Sequence, residues 1–300
     1  MTTDLAVIIV SWKVREHLNR CLASLRVALD ADGITASVLV IDNASSDGTV
    51  ELVYRLHPWA TVEASQSNLG FVGGCNLGLQ RLQSSAPAYW LLNPDTLIPR
   101  GTPRRMLEFL HSEPRAGLIG PKLLNTDGSL QESAFRFPGL LQLLFALDLM
   151  PHRLYFSSLN GRYADHLYHQ DSPFRIDHPL GAAMMASRQA VEDVGPLDPG
   201  YFMYCEEIDW AWRMQKAGYS NWLLPDVTVT HVGGASTRQM PPETTRFLWE
   251  SRARLYRKHR RGMTYSLARL AVRRAFRARS EATNDASWVA AYDGIARAWA

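Results

Sequence analysis

The sequence predicts an α/β fold with a mostly parallel central sheet flanked by helices. Continuous apolar, β-branched runs such as Leu5–Ser11 mark strands buried on both faces. These runs alternate with segments of helical period, the pattern of helices packed on both sides of an open sheet. Polar residues gather where the runs stop: Asp42, Asn68 and Asn93 to Asp95 fall at predicted strand ends, where such sheets bind ligands.

After Leu5–Ser11, a helical pattern on Leu18, Leu22, Leu25 and Leu29 ends at Asp32-Gly33, a glycine stop. A second buried strand spans 38–41, and Ser46-Asp47-Gly48 punctuates its end. Residues 50–56 read as a helix, Thr61–Ala64 as a short strand, 74–82 as a helix and 89–92 as the next strand. A helix over 103–111 and a strand around Leu118-Ile119 extend the alternation. Asn125-Thr126-Asp127-Gly128 predicts a hairpin turn. An apolar stretch over 140–150 precedes one rich in His, Tyr and Phe over 152–169. Beyond it the pattern predicts a strand over 181–187, a helix over 206–217, and two short strands over 222–225 and 227–232. Residues 247–276 read as helical and basic. The expected division is an α/β domain over 1–240 and a helical basic extension over 241–300.

At 300 residues and 46% hydrophobic content, the chain can bury a full core. No apolar run reaches the roughly 18 residues of a membrane-spanning helix. Asp4 and the short run after it do not read as a secretory signal. Cys21, Cys75 and Cys205 lie far apart without CxxC spacing, so reduced thiols in a cytosolic protein are expected rather than disulfides or a zinc site. The net charge of +3 is uneven. Residues 246–279 carry twelve Lys and Arg against Glu250 alone, which is +11 and leaves −8 for the rest. A nucleic-acid partner is not expected of a chain whose body is acidic. Leu255, Leu267, Leu270, Ala271 and Phe276 recur among these arginines at near-helical spacing. Two readings stay open: a helix lying on an anionic membrane surface, or a helical pair packed on the sheet with its arginines in solvent.

The polar islands carry the chemistry. Asp42 in Ile41-Asp42-Asn43-Ala44-Ser45-Ser46-Asp47-Gly48 serves either a turn or the base or ribose of a nucleotide. The stretch from Asn68 to Asn76 looks like a glycine-rich phosphate loop but fits neither standard fingerprint, and its glycines would equally serve close helix–sheet packing. Asn93-Pro94-Asp95 has the form of a degenerate DxD triplet. Pro94 cannot continue a central strand, so Asp95 is presented outward, where a carboxylate can hold a divalent cation against a diphosphate. Glu206-Glu207-Ile208-Asp209 opens a helix after the bulky Tyr201-Phe202-Met203-Tyr204. Acids at a helix N-terminus are common, but a carboxylate walled by such side chains gains the raised pKa of a general base. His231 closes a β-branched run and draws its weight from this company.

In order and spacing, residues 7–12, 41–49, 68–76, 92–96, 181–187, 195–213 and 231–236 resemble the inverting GT-A glycosyltransferases of family 2, especially their bacterial rhamnosyltransferase-like branch. The resemblance spans residues 4–240. It implies the GT-A, Rossmann-like nucleotide-diphospho-sugar transferase fold. The implied reaction is transfer of a sugar, rhamnose in that branch, from a nucleotide-diphosphate donor to an acceptor hydroxyl on a cell-envelope or lipid-linked glycan. It gives Ser11 and Asp42 to the nucleoside, with Asn68, Asn76 and Asn93 completing that wall. Asp95 and His231 would hold Mg²⁺ or Mn²⁺. One acid among Glu207, Asp209 and Glu206 would be the base, Glu207 first and Asp209 second. Glu207 stands where the family often has Asp, and Asn93 where the triplet's first acid would be. A cytoplasmic protein, peripheral on the inner face of the plasma membrane, is implied. The alternative is a catalytically inactive sugar-nucleotide-binding scaffold at the membrane; the presence of every candidate ligand favours an enzyme. A sugar-phosphate nucleotidyltransferase would need a basic glycine-rich loop where this chain has Ser11-Trp12-Lys13.

Overall fold

Seven consecutive buried residues, Leu5–Ser11, form β1 at the centre of the sheet in a computed structural model that describes residues 3–235 and 237–300. From it the chain runs through α1 (Arg15–Asp32), β2 (Ala36–Asp42), α2 (Thr49–Leu56), β3 (Thr61–Ala64), α3 (Gly70–Arg81) and β4 (Ala88–Leu92), the predicted alternation. Next come β5 (Thr96–Leu97), α4 (Thr102–Ser112), β6 (Ala116–Leu124), β7 (Leu130–Gln131), β8 (Ala134–Phe135) and α5 (Leu140–Ala146). They are followed by β9 (Phe174–Ile176), β10 (His178–Pro179), β11 (Ala183–Ser187), α6 (Arg188–Val194), α7 (Glu206–Lys216) and β12 (Ser220–His231). The helices α8 (Pro241–His259), α9 (Met263–Glu281) and α10 (Ala286–Ala298) close the chain.

Among the described residues the main sheet runs β3-β2-β1-β4-β11-β6-β12-β5. β1 pairs in parallel with β2 and β4, and β6 with β12, while β11 runs antiparallel between β4 and β6. Side chains alternate across β1. Leu5, Val7 and Ile9 face Leu18, Leu22 and Leu25 of α1 in one core, and Ala6, Ile8 and Val10 face Val72, Cys75 and Leu79 of α3 in the other.

Three predictions change on inspection. The glycine-rich stretch is not a loop: α3 already begins at Gly70. A Cβ on Gly74 would stand 2.7 Å from Val10 Cγ1, and one on Gly78 would overlap Ile8, so these glycines let the helix lie flush on β1. The two strands expected around Pro225 are one, β12, because a register shift between Leu224 and Thr228 accommodates the proline. The basic helical stretch is broken in two at Gly262, whose φ is +73°. The apolar residues expected to form a single stripe there are divided. Leu255 and Phe276 are buried, Ala271 packs partly against the core of the extension, and Leu267 and Leu270 are exposed. That core joins Trp249 and Tyr256 of α8, Val272 and Phe276 of α9, and Ile295 of α10 to Leu143 of α5.

Candidate active site

Parallel pairing aligns the ends of β1 and β2, with Ser11 opposite Asp42. Ser11 Oγ, Asp42 Oδ1 and Asn43 Oδ1 are buried there without a hydrogen-bond partner among the described residues. Asp42 Oδ2 is occupied by the Ser45 backbone N–H at 2.9 Å, and Asn43 Nδ2 donates to the Gly70 carbonyl at 2.9 Å. One strand further along, β4 stops at Leu92 and Asn93-Pro94-Asp95 turns the chain into β5. The antiparallel pairing of β5 with β12 sets Thr96 against His231, and the Val232 N–H donates to the Asp95 carbonyl at 3.0 Å. Main-chain pairing thus brings residue 231 to residue 95. Their side chains meet, with His231 Nε2 3.3 Å from Asp95 Oδ1 and Asn93 Nδ2 3.5 Å from the same nitrogen. Gln131 Oε1 lies 2.8 Å from the other ring nitrogen, Nδ1. Burial alone would raise the Asp95 pKa, but the hydrogen bond from His231 and its charge hold the carboxyl below its ordinary value.

The acids enter from the other side. Tyr204 and Cys205, at φ +68° and +63°, are two left-handed residues in succession, a conformation that costs roughly 1–3 kcal/mol for each non-glycine residue. They turn the chain so that α7 starts with Glu206 and Glu207 facing the same space as Asp95. Glu206 Oε2 and Glu207 Oε2 are buried and unpartnered. Burial pushes the Glu207 carboxyl up to about 7. Burial and then the charge of Glu207 push Glu206 well above the usual range.

These groups line one cleft of about 280 Å³. Asn43 and Asn68 stand on one wall, Asn93, Asp95 and His231 on another, and Glu206 and Glu207 on a third. Four expectations need adjustment. Asn76 does not line the cleft; its amide exchanges two hydrogen bonds with the backbone of Leu197, at 2.9 and 3.0 Å, and ties α3 to that segment. Asn68 does line it, but its Oδ1 already accepts the Gly70 N–H at 2.9 Å. Ser11 and Asp42 do not line the walls themselves; their chain neighbours Val10, Trp12 and Asn43 do. Asp209, expected as the second candidate base, is fully buried away from the cleft, where His259 Nε2 at 2.7 Å, Lys258 Nζ at 2.8 Å and Arg213 Nε at 2.9 Å share its two oxygens. A helix turns about 100° per residue, so Asp209, two positions beyond Glu207, points roughly 200° away from it and joins α7 to α8 instead. Ser236, within the last of the matching stretches, lies outside the described residues.

Sequence reading missed the apolar wall. Phe202 packs against Phe247 with ring centroids 4.7 Å apart and planes tilted by 40°, and Met240, Thr244 and Phe247 bring the start of α8 into the cleft. Nothing local in the sequence of α8 signals that contact, which exists only through tertiary packing. Gln131 was also missed, although the Asn125 to Gly128 hairpin that delivers it was legible.

No group of three or more His, Cys, Asp and Glu side chains poised for a metal occurs among the described residues. Asp95 and His231 nevertheless offer one oxygen and one nitrogen to the cleft. A hard divalent cation that takes its remaining ligands from a diphosphate and water needs no more. The donor set fits such an ion.

Comparison with known proteins places these features in a family. The profile of "Glycosyl transferase family 2" matches residues 6–189. The chain is 30% identical over 254 residues, 80% of each sequence, to the N-acetylglucosaminyl-diphospho-decaprenol L-rhamnosyltransferase of Mycobacterium tuberculosis. It is 26% identical over 72% of its length to the low-salt glycan biosynthesis hexosyltransferase Agl10 of Haloferax volcanii, covering 63% of that protein. Among solved structures, GalNAc-T7 with UDP, GalNAc and Mn²⁺ superposes with a TM-score of 0.59 at 14% identity over 85% of the chain. The chain spans about half of that structure, 48%. Staphylococcus aureus TarS with UDP gives 0.51 at 14% identity, over 83% of the chain and 65% of that structure. These two show a common fold.

Proposed function

This chain is a member of glycosyl transferase family 2, and on that premise we propose that it moves a sugar from a nucleotide-diphosphate donor to an acceptor hydroxyl with inversion. One observation carries the reading. A half-buried carboxylate with an unpartnered oxygen, Glu207, opens into the same cleft as the Asp95–His231 pair. Glu207 Oε2 takes the proton of the acceptor hydroxyl. The acceptor oxygen forms its bond to the anomeric carbon as the bond to the phosphate oxygen opposite it breaks, and the nucleoside diphosphate departs with that electron pair. A base held near pH 7 is ionised often enough to act and still basic enough to accept. Asp95 and His231 would hold a divalent cation, Mg²⁺ or Mn²⁺, whose charge would neutralise the diphosphate and stabilise its departure. Asn43 Oδ1, on the cleft wall, supplies an acceptor for an N–H group of a base, with Asp42 Oδ1 and Ser11 Oγ as unsatisfied polar atoms behind it.

The similarity to a rhamnosyltransferase supports a deoxyhexose as the transferred sugar, and its name supports a lipid-linked acceptor. The surface of α9 supports an anionic membrane as the place of work. Met263, Leu267 and Leu270 are 79%, 45% and 67% exposed there. Arg269, Arg274 and Arg277 are exposed as well and form no ion pair among the described residues.

A panel of nucleotide sugars, assayed for release of free nucleotide with and without divalent metal, tests the activity and identifies the donor. The expected result is metal-dependent release from one donor class, with Glu207→Gln slower by about 10²–10⁴-fold in kcat. Wild-type turnover by that variant would remove Glu207 from the reaction.

A further inference from the structure

We propose that Gln131 is a positioning residue that fixes which ring nitrogen of His231 carries the proton, so that Nε2 faces Asp95 as a bare lone pair. The proposal rests on the metal-site reading above and deepens it.

Donor and acceptor matching leaves one tautomer for the neutral ring. The backbone carbonyl of His231 can only accept, so the Gln131 group 3.4 Å from it is the amino end. The Leu130 carbonyl, 3.4 Å from Asn125 Nδ2, fixes that amide in the same way, and Asn125 Oδ1 then receives Gln131 Nε2 at 3.0 Å. Two carbonyls therefore orient two amides. Gln131 Oε1 is left 2.8 Å from His231 Nδ1, and since an amide oxygen can only accept, Nδ1 bears the hydrogen. In the neutral ring Nε2 is consequently the bare nitrogen, buried 3.3 Å from a carboxylate oxygen, with the Asn93 amino group at 3.5 Å; a proton taken up there is the one that His231 donates to Asp95. That bare nitrogen and the carboxylate repel one another unless a proton or a divalent cation held by both residues neutralises the pair. The tautomer selected by Gln131 is the one a metal ligand requires, and such orienting partners typically weigh 10- to 100-fold in affinity. The hairpin makes this possible: β7 pairs with β6, which runs alongside β12 and so sets residue 131 beside residue 231.

The test uses the full chain labelled with ¹⁵N at histidine, metal-free and at alkaline pH, with His231 assigned through His231→Gln. The wild type is expected to show the Nδ1–H tautomer, and Gln131→Leu a mixture. Mn²⁺ affinity, read from the paramagnetic resonance of the free ion, should fall roughly 10- to 100-fold in Gln131→Leu. It should stay near wild type in Gln131→Glu, whose carboxylate still accepts from Nδ1–H. Asn125→Ala, which releases the Gln131 amide on one side, should weaken Mn²⁺ binding in the same direction and decides the matter should Gln131→Leu fail to fold. An Nε2–H tautomer in the wild type overturns the proposal, as does wild-type Mn²⁺ affinity in Gln131→Leu, or in Asn125→Ala where that variant decides. Failure of the metal reading itself looks different: no Mn²⁺ binding by the wild type, with the Nδ1–H tautomer intact.

Discussion

Glu206 and Glu207 are neighbours with the same side chain and different tasks. Burial and then the charge of Glu207 both oppose ionisation of Glu206 and favour its protonated form, which glutamine mimics. Glu207 titrates near 7 and must be ionised to accept a proton. The expected kcat/KM therefore rises with pH through about 7 and then levels off. Glu206→Gln should keep that limb in place with a modest loss of rate, while Glu207→Gln loses the rate. A pH–rate profile of the two variants checks this, and exchanged phenotypes would reverse the roles. Stability runs the opposite way with pH. The folded value of Glu207 lies above the ordinary 4.5, so its favourable contribution is complete below that pH and gone above about 7. The residue types of the site were legible in the sequence because strand ends and an apolar approach to an acid cluster are local features. The fate of Asp209 was not, because its partners His259 and Lys258 come from a helix fifty residues away.

Glycines show how an element can be misread. The run from Gly70 to Gly78 has the composition of an anion-binding loop, yet Gly74 and Gly78 sit inside α3 against β1. Sequence alone could not choose, since close packing and a phosphate cradle ask for the same missing Cβ. Gly78→Ala tells them apart. Alanine normally gains about 1 kcal/mol over glycine in a helix interior. Here its Cβ would overlap Ile8, a fully buried residue on a central strand, where overpacking costs roughly 1–3 kcal/mol. The expected outcome is a lower denaturant midpoint with nucleotide binding retained in the folded fraction. An unchanged midpoint with lost binding would restore the phosphate reading. α1, β2, β3 and β4 fell close to their predicted limits because hydrophobic period and glycine stops are written in the chain. β12 was split by its proline, whose accommodation depends on a register with β6 that no local pattern records.

Across the whole molecule, the site forms where sheet direction changes. β1, β2 and β4 point their carboxyl ends to one edge, β11 returns antiparallel beside β4, and β12 arrives with His231. The order of strands is what converts dispersed islands into one cleft, and only the parallel half of that order could be anticipated. The charge asymmetry of the sequence likewise acquires a place, the outer face of α9. Co-sedimentation of the protein with phosphatidylglycerol vesicles should be strong at low salt, weak with phosphatidylcholine, and lost in the Arg269→Glu, Arg274→Glu, Arg277→Glu triple variant. Each arginine near an anionic surface is worth about 1 kcal/mol. Pelleting that ignores lipid charge and salt would sink the membrane reading.

Because the first turns of α8 furnish part of the cleft and its last turn neutralises a carboxylate on α7, the C-terminal sixty residues are not an appendage. A chimera that grafts this segment from a relative would rebuild one side of the cleft along with the arginine-rich outer face of α9, so that the chemistry of the cleft and of that surface would be inherited together.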